Sequence, residues 1–126
     1  MNEITQKFVT LFNEERDFYE CHEIFEAAWK AESEEPLKGF YKALVQVATA
    51  QYKLNQGYMN GFRKLYSYCY PVLEELPDVY QGIDMAKLRR ELTDQLHQLP
   101  PEAYIPAGTF HEIGIVYLTL GIVEII

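Results

Sequence analysis

Residues 36–57 constrain this chain more than any other stretch. Pro36 suits a first helical turn and Gly57 suits a helix end. Between them Phe40, Leu44, Val47, Ala48 and Leu54 recur at helical spacing, and Tyr41, Val45 and Tyr52 widen the stripe to about half the circumference. A helix that apolar must be packed from more than one side, so this segment is expected to be the centre of a helical bundle. Gln51 falls inside the stripe. A buried amide needs partners, so Gln51 is expected to bond to a polar group on another helix.

The rest of the chain supplies those neighbours. Ile4, Phe8, Leu11 and Phe12 predict a first helix over residues 3–14. Asp17 and Glu20 have capping-box spacing and start a second helix. Asn60 is a candidate cap for a fourth, with Phe62, Leu65, Cys69, Val72, Leu73 and Leu76 as its stripe and Pro71 on the polar side. Residues 76–82 are expected to be a loop. Asp84 caps a fifth helix carrying Leu88, Leu92, Leu96 and Leu99, ended by Pro100-Pro101. The expected fold is all-α: a single-domain bundle of about five helices over residues 1–106, followed by an apolar, β-prone tail over residues 107–126. That tail could lie on the bundle, fold as a hairpin or pair with another copy of the chain. Its terminal Ile125-Ile126 would then need cover.

The chain has 126 residues and a net charge of −8, which argues against nucleic acid and against anionic lipid as partners. The charge is uneven. Residues 14–35 hold nine acids against Arg16 and Lys30. Residues 36–73 hold no acid, while Lys38, Lys42, Lys53, Arg63 and Lys64 are present. Complementary helix surfaces are the ordinary cause, and a bound anion over the basic segment is the alternative. Cys21 and Cys69 lie on apolar faces with no metal spacing, which suggests buried thiols in a reducing, cytoplasmic setting. No cofactor is expected, since no phosphate-binding loop, nucleotide fingerprint or catalytic serine motif is present.

The second helix carries the candidate chemistry. On a helical wheel Phe18, Cys21, Phe25, Ala28 and Trp29 form its core face, with His22 beside Trp29 and Glu26 at the edge. Glu23, Ala27 and Lys30 are expected further round, towards solvent. His22 and Glu26 are the candidate metal ligands, because imidazole and carboxylate four residues apart can meet on one face. The H-E-x-x-E pattern lacks the second His of the helical zinc proteases. Further ligands would have to come from Asp94, His97, His111 or Glu112. The architectural alternative is a His22 that bonds Glu26 and a neighbouring helix and so fixes helix register.

Phe12-Asn13-Glu14-Glu15-Arg16-Asp17-Phe18-Tyr19-Glu20-Cys21-His22-Glu23-Ile24-Phe25-Glu26-Ala27-Ala28-Trp29 resembles the signature of the domain-of-unknown-function 309 family. Lys38-Gly39-Phe40-Tyr41-Lys42-Ala43-Leu44-Val45-Gln46-Val47-Ala48 is similar to its second segment. The resemblance implies a small all-α bundle and brings no activity with it. By position it marks His22, Glu23, Glu26, Trp29 and Gln46. The His that many relatives carry near Lys53 is missing here, which weakens a metal site completed at that position.

The cluster to be located is therefore His22, Glu23, Glu26, Trp29, Gln46 and Gln51. A binding or interaction module centred on it is expected ahead of an enzyme. Its partners would be a small ligand and a second copy held through the tail. The alternative is a metal-dependent hydrolase using His22, Glu23 and Glu26.

Overall fold

The computed structural model describes residues 1–124 and forms an all-α bundle. Its helices are α1 (Glu3–Thr10), α2 (Phe18–Ala31), α3 (Leu37–Gln56), α4 (Met59–Glu75) and α5 (Met85–Gln98). The central position expected of α3 holds: it packs against both α2 and α4. Ten of its residues are buried, Gln51 among them. Gly57 ends it in the left-handed region at φ 78°. A side chain there would strike the Ile105 carbonyl, because residues after α5 fold back onto this turn. Ile105 N–H donates to Gly57 O at 2.9 Å.

The first helix starts at Glu3 as expected and differs from expectation at its far end. Asn2 caps it by accepting from Thr5 N–H at 2.8 Å. Thr5, Phe8, Val9 and Phe12 then face the core, an i, i+3, i+4, i+7 set with Thr as its polar member. Ile4, expected in the stripe, is exposed. Beyond Thr10 the helix widens into a π-helical turn, Leu11–Glu15, that ends on Arg16 at φ 55°. π-turns leave the backbone out of register with the α-ladder. Here the turn places Asn13 and Arg16 against the tail.

Three further expectations are corrected. Tyr52 is exposed, so the buried stripe of α3 is narrower than the wheel gave. Asn60 does not cap α4. Its N–H is taken by Ala103 O and its side chain accepts from Arg63 at 2.7 Å, while Tyr58 holds the cap position without a side-chain bond. The expected loop over residues 76–82 contains half of a two-stranded hairpin. In it β1 (Val79–Tyr80) pairs with β2 (Ile83–Asp84). Gln81 and Gly82 both have positive φ, which makes the tight turn that suits a two-residue hairpin. Asp84 caps α5 as expected, accepting from Lys87 N–H at 2.9 Å.

The tail does not fold as a regular strand. After a 3₁₀ turn, Phe110–Ile113, it runs across the bundle with Ile115, Leu118 and Leu120 buried. Among its described residues the one strand-like pairing is Ile122 with Ile83. Ile125 and Ile126, expected to need cover, lie outside the described residues.

Cys21 and Cys69 are buried and unpaired. Burial pushes each thiol up to about 12, helped at Cys21 by Asp17, Glu20 and Glu15. The half-buried phenols Tyr66 and Tyr117 are raised chiefly by the same loss of water. Above about pH 9 the unfolded thiols ionise while the folded ones keep their protons, so the unfolded state binds fewer protons. Stability is therefore expected to fall steadily as pH rises from about 9 towards 12. Urea melts at about pH 8 and pH 10.5 check this, and both thiols should resist a thiol reagent until the chain unfolds.

Candidate functional site

Asp17 opens α2 by accepting from Glu20 N–H at 3.0 Å. This start aims Phe18, Cys21 and Phe25 into the core and leaves His22 and Glu26 on the shoulder of the helix. His22 Nε2 lies 3.1 Å from Glu26 Oε2, and the other Glu26 oxygen accepts from Lys30 at 2.7 Å. The result is a ladder at i, i+4 and i+8. The Lys30 hydrogen bond, with the charges of Lys30 and His22 behind it, holds the Glu26 carboxyl below its usual range.

Two readings of the wheel are amended. Glu23 lies towards solvent as expected, yet its carboxylate reaches to 3.3 Å from His22 Nδ1. A wheel places Cβ atoms, and a glutamate has three further bonds with which to swing round the helix. His22 also makes neither of its contacts to a neighbouring helix, and its side chain is 32% exposed. It therefore does not fix helix register. Among the described residues, His22, Glu23 and Glu26 gather potential ligand atoms within 4.8 Å of one another. The imidazole offers one nitrogen to each carboxylate, on opposite edges of the ring. A single ion could take only one of those nitrogens without moving a glutamate. Asp94, His97, His111 and Glu112, the proposed further ligands, are exposed elsewhere and do not join the cluster.

Trp29 is half-buried at the core edge rather than sealed within it. The Lys42 ammonium stands 5.0 Å from the centre of its ring, a cation–π contact worth about 0.5–1 kcal/mol where water reaches it. Lys42 in turn belongs to a groove of about 550 Å³ between α3 and α4. Gly39, Ala43 and Val72 form the apolar part of its lining, and Lys42, Gln46, Ser67 and Tyr68 the polar part. All of these lining residues fall in the acid-free stretch of the sequence, while α4 carries Glu74 and Glu75 beyond it. Glu35 accepts from Gly39 N–H at one end of the groove. Lys42 has no ion pair among the described residues.

Gln46, marked by the resemblance, thus lines a groove. Ser67 and Tyr68 were missed, and Val72 was expected only in the apolar stripe of its helix. Their signal was the absence of acid over residues 36–73 together with the small pair Gly39 and Ala43 on one face of α3.

Gln51 belongs to neither feature. It exchanges two amide hydrogen bonds with Gln95 of α5, both at 2.8 Å. Its Oε1 also accepts from Leu118 N–H at 3.1 Å, and Gln95 donates to Val116 O at 2.8 Å. The expected cross-helix partner is present, and it ties α3, α5 and the tail together.

Residues 5–65 match the family described as Domain of unknown function (DUF309). The resemblance read from residues 12–29 and 38–48 therefore holds. The match spans α1, α2, α3 and the start of α4, and so includes His22, Glu23, Glu26, Trp29, Lys42 and Gln46. The chain is also 28% identical over 80 residues, 64% of its length, to an "Uncharacterized protein" of Aquifex aeolicus (strain VF5). The matched stretch is 24% of that relative's length. Among the described residues no helix is long and apolar enough to cross a membrane.

Proposed function

We propose that this chain is a binding module. Its recognition surface is the α3–α4 groove, flanked through Lys42 and Trp29 by the polar ladder of α2. The observation that carries this reading is Lys42 itself. Among the described residues it is a cation without an ion-pair partner, held over an indole at the edge of a groove whose described lining contains no acid. Burying an apolar body on Ala43 and Val72 while a negative group meets Lys42 is what such a lining favours. The ligand class is a small acid with an alkyl or aromatic body.

A ligand that binds the native state raises its melting temperature. Phenylpropionate, hexanoate and phenyl phosphate should each do so, and uncharged phenylpropanol should not. A hydrogen bond to a charged group is worth about 1.5–3 kcal/mol, so Lys42→Met should weaken binding by roughly ten- to a hundredfold. If acids and the alcohol behave alike, or Lys42→Met binds equally well, the reading fails.

The second reading is a metal-dependent hydrolase, favoured by one imidazole and two carboxylates whose potential ligand atoms lie within 4.8 Å of one another. It requires Glu26 to leave Lys30, and one carboxylate to leave its side of the imidazole. Melting curves with zinc, manganese or iron test it directly. A rise in the natural chain that His22→Ala abolishes supports a metal, and unchanged curves exclude this reading.

A further inference from the structure

Residues 115–124 run extended over the bundle, and side chains read their backbone. Asn13 Nδ2 donates to Leu120 O at 2.9 Å, while its Oδ1 accepts from Leu120 N–H at 2.8 Å. Arg16 donates to Leu118 O at 2.7 Å. Gln51 accepts from Leu118 N–H and Gln95 donates to Val116 O. Glu91 accepts from Thr119 N–H at 3.3 Å, and Lys87 donates to Thr119 O. Gln51 is fully buried and Gln95 is 3% exposed, so these amides are committed to the task. Ile115, Leu118 and Leu120 meanwhile fill apolar sites below.

This is how a groove holds a peptide. Main-chain contacts position it, and side chains along one face select it. None of the contacts requires the strap to belong to the same chain. The strap joins the bundle at Gly114, at φ 87° and with open space where a side chain would be. Its outer surface is apolar and faces water: Val116 is 68% exposed and Ile122 54%. Ile113, just before the joint, is exposed as well.

We propose that the groove lined by Asn13, Arg16, Gln51 and Gln95 is an exchangeable peptide site whose other occupant is the strap of a second copy, so that two copies swap residues 115–124. The buried contacts are the same in the swapped and unswapped forms. They differ in the path taken at Gly114 and in the cover a partner gives Val116 and Ile122. Concentration therefore decides between them. This proposal does not rest on the α3–α4 groove.

The test uses two full-length variants, Arg16→Cys and Thr119→Cys. Arg16 Nη2 lies 3.3 Å from Thr119 Oγ1, so a short bis-maleimide can join these positions. The native thiols are buried and stay out of the reaction. The variants are unfolded, mixed and refolded together at high concentration. A crosslinked species containing one chain of each kind is expected, because only swapped copies bring the two positions together. The double variant Arg16→Cys/Thr119→Cys should bridge within one chain at low concentration. If it does so while the mixture gives no more product than either variant alone, the proposal is overturned. Light scattering of the natural chain guards against variants that misfold. Its mass should double with concentration after refolding, and a constant 14.7 kDa would overturn the proposal as well.

Discussion

Phe25→Ala should destabilise the bundle by about 3–5 kcal/mol, the range for truncating a buried aromatic. Phe25 is fully buried, and its ring stacks on Phe8 with centroids 4.0 Å apart. It meets Tyr41 edge-on at 4.9 Å and Phe40 at 6.1 Å. One side chain therefore joins α1, α2 and α3. The substitution removes the transfer energy of the ring and leaves a cavity between three helices that cannot all close on it. Phe25→Leu keeps most of the volume and should lose less than half as much. Urea unfolding of the three chains checks this, read as a shift in midpoint at constant slope. A loss under about 1 kcal/mol for the alanine variant would mean that the three helices do not share this contact.

Gln51→Ala should cost about 3 kcal/mol by a different route. Its own loss is a modest hydrogen-bond contribution. The larger effect falls on the groups left behind. Gln95 Oε1 loses its donor and Leu118 N–H its acceptor, both out of water, at about 1–3 kcal/mol each. For a chain of this size the melting midpoint should fall by roughly 10 °C. Gln95→Ala should do nearly the same. The double variant should lose much less than the sum, because the two amides satisfy each other. Additive losses in that cycle would show that the amides do not act as a pair.

The order of the helices and the centrality of α3 were legible because burial on two sides leaves a broad apolar stripe. The caps at Asp17 and Asp84 were legible because the donor they satisfy is three residues away in the chain. Asn60 misled because its N–H is claimed by Ala103, more than forty residues on, and no local pattern records that. The π-turn at Leu11–Glu15 was hidden for a similar reason: its contacts are to the tail. The β-prone composition of the tail was real, but its backbone finds mainly side-chain partners and meets a strand only briefly, at Ile122 against Ile83. At the site, the wheel placed Glu26 correctly at the edge of the core face. It placed Glu23 towards solvent and missed the reach of its carboxylate, because a Cβ direction does not fix a flexible acid. The groove was half-legible as an acid-free stretch, yet only packing shows that α3 and α4 leave a gap there.

Trp29 is the only tryptophan, and Lys42 joins its ring to the groove, so its emission reports on the proposed site. The most direct measurement is therefore a titration of the natural chain and of Lys42→Met with phenylpropionate, exciting Trp29 alone. A saturable change in emission that is roughly ten- to a hundredfold weaker in Lys42→Met, and absent with phenylpropanol, is the predicted result. Emission that stays flat, or that responds equally to acid and alcohol, would contradict the assignment of the α3–α4 groove as an acid-binding site.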